Sequence, residues 1–314
     1  MKLSQVAPEL RSRVLMMPPL PLGSSFGRRL MRASIKRLDR EKQYEGARLE
    51  KRTGALRVYT PQGVLTGAAL LWIHGGGMVI GSAAQDDQFC AETARQLGVV
   101  VVSVEYRLAP EFPFPSAADD CYAAWTWLQQ AATHLQIDRT RVAVGGQSAG
   151  GGLAASLVQR IHDARGIQPI AQWLFSPMLD DRTAARTELD AIKHKIWNNR
   201  LNRIGWRAFL GTEPGAASVP EYAVPARRND LRGLPPTWIG VGDIELFFDE
   251  DKTYADRLQS AGADSTLEIV PGAPHGFESI AARTRLAQAY LSHSREWLGE
   301  KIAGSPAGGK HENT

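Results

Sequence analysis

The sequence predicts an α/β fold, a mostly parallel central sheet flanked by helices. From about residue 55 onward, short apolar or β-branched runs alternate with stretches of helical periodicity, the pattern of strands joined by crossover helices. The run Val99-Val-Val-Val102 is apolar without alternation, as a strand buried on both faces requires. The chain has 314 residues, 43% apolar and 22% charged, an ordinary globular composition that excludes a disordered chain. Its 30 Gly follow no triplet period and it has only 2 Cys, which excludes collagen-like and disulfide-scaffold classes.

The elements follow in chain order. Glu9, Arg11 and Arg13 interrupt the start, and the apolar stretch 14–22 contains Pro18, Pro19 and Pro21. A secretory leader needs an uninterrupted apolar core, so export is not expected. Residues 24–43 read as an amphipathic helix with Phe26, Leu30 and Leu38 on one face. Arg28, Arg29, Arg32, Lys36, Arg37 and Arg40 populate the others. Residues 1–52 carry a net +8 and the remainder a net −4. The basic end reads as a solvated helix face, with an anionic surface as the alternative.

Strands are expected over 55–59, 68–73, 99–105, 141–144, 170–175, 237–241 and 266–270, with helices over 86–97, 116–131, 149–164, 249–261 and 278–299. Residues 181–222 break the alternation. They hold Trp197, Trp206 and Phe209 among charged residues without a good strand, and read as an insertion that packs with the N-terminal helix over one end of the sheet. The expected division is thus a catalytic unit of 46–180 and 223–303, a second unit of 1–45 with 181–222, and a small, polar tail over 304–314. Cys90 and Cys121 lie in different expected helices, outside any CxxC. They read as core residues of a protein in a reducing compartment, and a cytoplasmic location is expected. No apolar run approaches the ~20 residues of a spanning helix, so membrane contact is not expected, nor is a nucleic-acid partner.

Three motifs carry chemistry. Gly146-Gln-Ser148-Ala-Gly150 follows an expected strand and opens an expected helix, the context of a nucleophile elbow. The glycines suit a tight turn, and the helix start aims N–H groups at developing negative charge. His74-Gly-Gly-Gly77 follows the apolar strand 68–73. Its glycines let backbone donors approach a reacting oxygen, and no Lys-Ser/Thr follows to make it a phosphate cradle. His74 itself reads as an orienter of this loop. Pro271-Gly-Ala-Pro-His275-Gly-Phe277 presents a histidine on a loop after a strand, and histidine is the usual general base at neutral pH. An orienting carboxylate should follow strand 237–241, where Asp243, Glu245, Asp249, Glu250 and Asp251 all qualify by spacing.

His74-Gly-Gly-Gly77, Tyr106-Arg-Leu-Ala-Pro-Glu111, Gly146-Gln-Ser-Ala-Gly-Gly151 and Pro274-His-Gly-Phe277 together resemble the hormone-sensitive-lipase-like esterases of the α/β-hydrolase superfamily. The resemblance spans about residues 45–300. It implies an α/β-hydrolase fold with a two-part helical cap formed by 1–45 and 181–222. Aligning Gly242-Asp-Ile-Glu245-Leu-Phe-Phe-Asp249-Glu250 on the family's acid segment puts Glu245 at the catalytic position, where Asp is more usual, with Asp243 as fallback. Gln147 stands where the family often has Asp or Thr, and a neighbouring support role is expected of it.

The resemblance further implies a Ser148–Glu245–His275 triad and oxyanion donors at the N–H groups of Gly75, Gly76 and Ala149. Arg107, Glu111 and Asp120 would tie down the loop below the site. Met78, Val79, Trp197, Trp206 and Phe209 are the candidate pocket residues, each equally suited to the core of the cap. The expected reaction is hydrolysis of short- to medium-chain acyl esters through an acyl-enzyme, with no metal or cofactor, and a small-molecule ester as partner. A homodimer is a further expectation from the family. The alternatives are a non-catalytic binder on the same fold, or an amidase or lactonase with the same triad.

Overall fold

The computed structural model describes residues 1–37, 39, 43–52 and 56–304. Leu38, Arg40, Ala55 and the tail beyond Gly304 lie outside the described residues. Within them, eight strands form one sheet: β1 (Ala47–Arg52), β2 (Leu56–Pro61), β3 (Ala69–Ile73), β4 (Val100–Val104), β5 (Val142–Gln147), β6 (Gln172–Phe175), β7 (Thr237–Gly242) and β8 (Ser265–Val270). The spatial order is β1-β2-β4-β3-β5-β6-β7-β8. The β1–β2 and β2–β4 pairs are antiparallel and every other pair is parallel.

The described helices are α1 (Arg11–Met16), α2 (Ser25–Lys36), α3 (Asp87–Leu97), α4 (Ser116–Gln130), α5 (Ala132–Leu135), α6 (Ala149–Asp163), α7 (Asp181–Ala185), α8 (Asn199–Leu210), α9 (Phe248–Ser260), α10 (Phe277–Ile280) and α11 (Arg285–Ala303). Alternation along the strands splits the core into two layers. Leu70, Trp72, Val101, Trp173 and Trp238 face α3, α11 and the N-terminal segment. Leu71, Ile73, Val102, Val144, Leu174 and Ile239 face α4, α6 and α9. Cys90 lies in the first layer and Cys121 in the second, both buried and unpaired.

Three readings of the sequence change here. The edge strand β1 was not expected, because Arg48, Glu50, Lys51 and Arg52 hide any apolar alternation. The expected helix over 278–299 is two helices, α10 and α11, separated at 281–284. The expected helix over 24–43 ends at Lys36, and it buries a different face. Phe26 is 76% and Leu30 54% exposed, while Gly27 is buried and Met31 and Ile35 pack on the core. Gly27 allows this: a Cβ there would sit 1.8 Å from the Pro21 carbonyl oxygen. Arg32 takes the same inward side, with Nε donating to Val79 O at 2.8 Å and Nη2 to Ala109 O at 2.7 Å.

The loops that matter leave the carboxyl ends of parallel strands β3, β5, β7 and β8, where ligands of α/β sheets bind. Between β6 and β7, residues 181–222 hold α7 and α8 and no strand. Helix α8 approaches the loop after β3 so closely that a Cβ at Gly205 would lie 2.8 Å from Gly77 O.

Candidate active site

Ser148 sits between β5 and α6 with φ 55° and ψ −120°, a conformation that costs a non-glycine residue about 1–3 kcal/mol. Its surroundings hold it there. Its N–H donates to Phe175 O at 2.8 Å, and its carbonyl accepts from Gly152 N at 3.1 Å and Met178 N at 2.9 Å. The turn also presses on β3, because a Cβ at Gly150 would meet Ile73 O at 2.0 Å. Local backbone demand thus explains both the glycines and the outward aim of the hydroxyl.

His275 arrives on the loop after β8. Its Nε2 lies 2.9 Å from Ser148 Oγ and its Nδ1 lies 2.5 Å from Glu245 Oε2. All three side chains are nearly buried, with Ser148 6%, Glu245 5% and His275 6% exposed. Burial alone would push the imidazole pKa down, but the adjacent Glu245 carboxylate more than offsets this and holds it above its ordinary value. The Phe247 ring stands edge-on to the imidazole at 5.2 Å.

The other acid candidates have different partners. Asp243 is exposed, and its Oδ1 accepts from Gly272 N at 2.7 Å, which braces the loop carrying His275. Asp249 is exposed, 3.7 Å from Arg186 Nη1. Glu250 Oε1 accepts from the N–H groups of Leu179 and Asp180 at 2.8 and 3.2 Å. Asp251 is fully buried, and burial followed by the nearby Glu245 charge pushes its carboxyl well up.

The loop after β3 lies beside the serine. A Cβ on Gly75 would be 3.4 Å from Ser148 Cβ, and one on Gly76 (φ +128°) would be 2.0 Å from Ile80 O. Among the described residues the N–H groups of Gly75 and Gly76 donate to no backbone acceptor. Ala149 N–H opens α6 and so has no intrahelical partner. His74 is fully buried, stacks on Tyr106 at 4.2 Å and hydrogen-bonds Gly75 O through Nδ1 at 2.8 Å. Tyr106 Oη in turn donates to His74 O at 3.0 Å. Burial pushes the His74 pKa down, so the ring is a neutral brace.

Of the remaining expected residues, Arg107 and Asp120 form a bidentate pair, and Glu111 reaches Arg32 at 2.9 Å on α2. Gln147 Nε2 donates to Glu278 and, at 3.0 Å, to Ser279 Oγ. Met78 and Val79 are buried, with Met78 O accepting from Ala109 N at 2.9 Å. Trp197 covers the site: its ring fills the space where Gly77 would carry a Cβ and lies 6.5 Å from the His275 ring. Phe209 packs edge-on against Phe114 at 5.6 Å and Trp206 at 6.1 Å. Sequence reasoning missed the places of Arg32, Phe247 and Glu278 around this centre. Only the arginine-rich periodicity of α2 signalled the first of them. No group of three or more His, Cys, Asp or Glu side chains suited to a metal occurs among the described residues, and no helix there is long and apolar enough to cross a membrane.

Residues 70–279 match a family described by the alpha/beta hydrolase fold. The chain is 34% identical to an ethyl acetate hydrolase of Pseudomonas putida, covering 71% of this chain and 70% of that protein. It is also 34% identical to the carboxylesterase NlhH of Mycobacterium tuberculosis, covering 72% of each. Among solved structures, a bacterial heroin esterase superposes with a TM-score of 0.89 at 34% identity, covering 96% of this chain and 99% of the other. An eight-stranded sheet of this topology, a serine on its central elbow and relatives of this kind lead to one conclusion: the chain belongs to the alpha/beta hydrolase fold family, among its hormone-sensitive-lipase-like esterases.

Proposed function

We propose that this carboxylic ester hydrolase cleaves short- to medium-chain acyl esters with Ser148 as nucleophile, His275 as general base and acid, and Glu245 as the carboxylate that orients it. The observation that carries this reading is the single imidazole bridging Ser148 Oγ at 2.9 Å and Glu245 Oε2 at 2.5 Å. Glu245 accepts from Nδ1–H, which leaves Nε2 free to take the serine proton as Oγ attacks the ester carbonyl. The N–H groups of Gly75, Gly76 and Ala149 receive the oxyanion. His275 then protonates the leaving alcohol, and water repeats the sequence on the acyl-enzyme.

Residues 1–45 and 181–222 act as a cap over this centre. Arg32 tethers the first part to the backbone of Val79 and Ala109, and α8 presses the second onto Gly77. With Trp197 this close to Gly77, the space above Ser148 favours short acyl chains. The free Cys90 and Cys121 support a reducing, cytoplasmic setting.

The test is a para-nitrophenyl ester series on purified protein with Ser148→Ala as control, joined to fluorophosphonate labelling. Butyrate should turn over faster than palmitate, and the probe should label wild type but not the variant. Absence of labelling would identify a non-catalytic binder, and a reversed chain-length order would remove the short-chain reading.

A further inference from the structure

The buried side of α8 carries polar groups that the fold leaves without partners. Asn202 is fully buried, and among the described residues neither its Nδ2 nor its Oδ1 has a hydrogen-bond partner. The indole Nε1 of Trp197 and that of Trp206 are also buried and unpartnered there. Asn202 stands one turn before Gly205 on the same helix face. A Cβ on Gly205 would stand 2.8 Å from Gly77 O and 3.5 Å from the Met178 methyl, so the helix backbone runs close to both. Met178 N–H is bonded to the Ser148 carbonyl at 2.9 Å, and the Trp197 ring lies over Gly77 beside His275. Asn202 thus lies one helical turn from the close approach of α8 to Gly77, the residue on which the Trp197 ring also packs.

Native interiors keep few such groups, and each calls for a partner. A cap that served only plain alkyl chains would be expected to carry leucine or phenylalanine at position 202, because a buried, unbonded amide is unfavourable beside hydrocarbon. We propose that Asn202, with the Trp197 indole, forms a polar subsite for esters bearing a hydroxyl, ether or carbonyl oxygen close to the scissile bond. This rests on the esterase reading above. Asn202 offers both a donor and an acceptor, which suits a hydroxyl best, while Trp197 Nε1 is a donor only. Asn202 does not touch the reacting atoms by this account. It sets which ester is preferred.

Two matched pairs test this. On the acyl side, kcat/KM is compared for para-nitrophenyl β-hydroxybutyrate and para-nitrophenyl butyrate. On the alcohol side, methoxyethyl butyrate is compared with butyl butyrate. In at least one pair the oxygenated ester should be preferred by wild type by roughly 10–100-fold, and Asn202→Leu should bring that ratio near one. The melting temperature of Asn202→Leu should not fall, because leucine removes an unbonded polar group. If Asn202→Leu does not fold, Asn202→Ala is read in the same way. Ratios near one for both pairs in wild type, or a preference that survives the substitution, would overturn the subsite and leave Asn202 a buried structural side chain. Failure of wild type to cleave any of the four esters would overturn the esterase reading, and the subsite with it.

Discussion

Glu245 reaches the His275 imidazole although it is one methylene longer than the aspartate usual at this position, with Oε2 2.5 Å from Nδ1. Asp243, two residues earlier, is drawn outward to Gly272 N, and Phe247, two residues later, packs edge-on against the imidazole. Glu245 Oε1 stays buried without a partner among the described residues.

The choice between the two carboxylates is therefore open to direct test. Glu245→Ala should lower kcat/KM by about 10³–10⁴-fold, as expected for loss of the orienting acid of a triad. Asp243→Ala should lower it by less than about tenfold, since it loosens one loop contact. Circular dichroism should show both variants folded. The opposite ranking would move the acid to Asp243.

The pH profile has a determined sign. As the proposed general base, His275 must be neutral to accept the serine proton, and its pKa is held above the ordinary 6.5. The acidic limb of kcat/KM should therefore rise with an inflection above that value. In Glu245→Gln the main opposing charge is gone while burial and the lesser Glu278 charge stay, so the inflection of the residual activity should shift down. For stability, a raised histidine pKa contributes below the unfolded value and is lost as pH rises through the folded one. An inflection that did not move in Glu245→Gln would assign the limb to another group.

Gly76→Ala should cripple the proposed oxyanion loop. The residue has φ +128°, and its Cβ would stand 2.0 Å from Ile80 O, so the backbone must shift and carry its N–H with it. A loss of about 10²–10³-fold in kcat is expected. Gly63→Ala is the control, because a Cβ there meets nothing within 4 Å. Equal kinetics for the two variants would show that the loop N–H groups play no part.

Asp87 bonds Arg57, Tyr44 and Tyr59, none of them a candidate site residue, and its part is in stability. It is buried and ion-paired with buried Arg57 at 2.6 Å, and it accepts from Tyr44 Oη at 2.7 Å and Tyr59 Oη at 2.5 Å. Asp87→Ala leaves the guanidinium buried with its main partner gone and should cost about 3–5 kcal/mol of unfolding free energy. Urea denaturation measures this. A loss below about 1 kcal/mol would mean that water reaches Arg57.

The seven expected strands all occur within a few residues of their predicted places, because central parallel strands such as Val100–Val104 are apolar throughout. β1 escaped notice because it lies at the edge of the sheet and its charged residues face water. The face of α2 was misread for the converse reason. Phe26 and Leu30 look like a buried stripe, but the inward side is set by close approach at Gly27 and by the carbonyls that Arg32 reaches.

Sequence alone determined the α/β class, the elbow serine, the glycine loop and the loop histidine. Each depends on backbone needs expressed over a few adjacent residues: a tight turn, a close approach, a presented side chain. Spacing left five carboxylates open and the family resemblance pointed to Glu245; tertiary structure brings Glu245 rather than Asp243 to His275, ties Arg32 to the carbonyls of Val79 and Ala109, and buries Asn202 without a partner among the described residues. Those outcomes depend on which side chains reach one another across dozens of residues of chain. Such reach follows from the packing of whole elements, which no local pattern encodes.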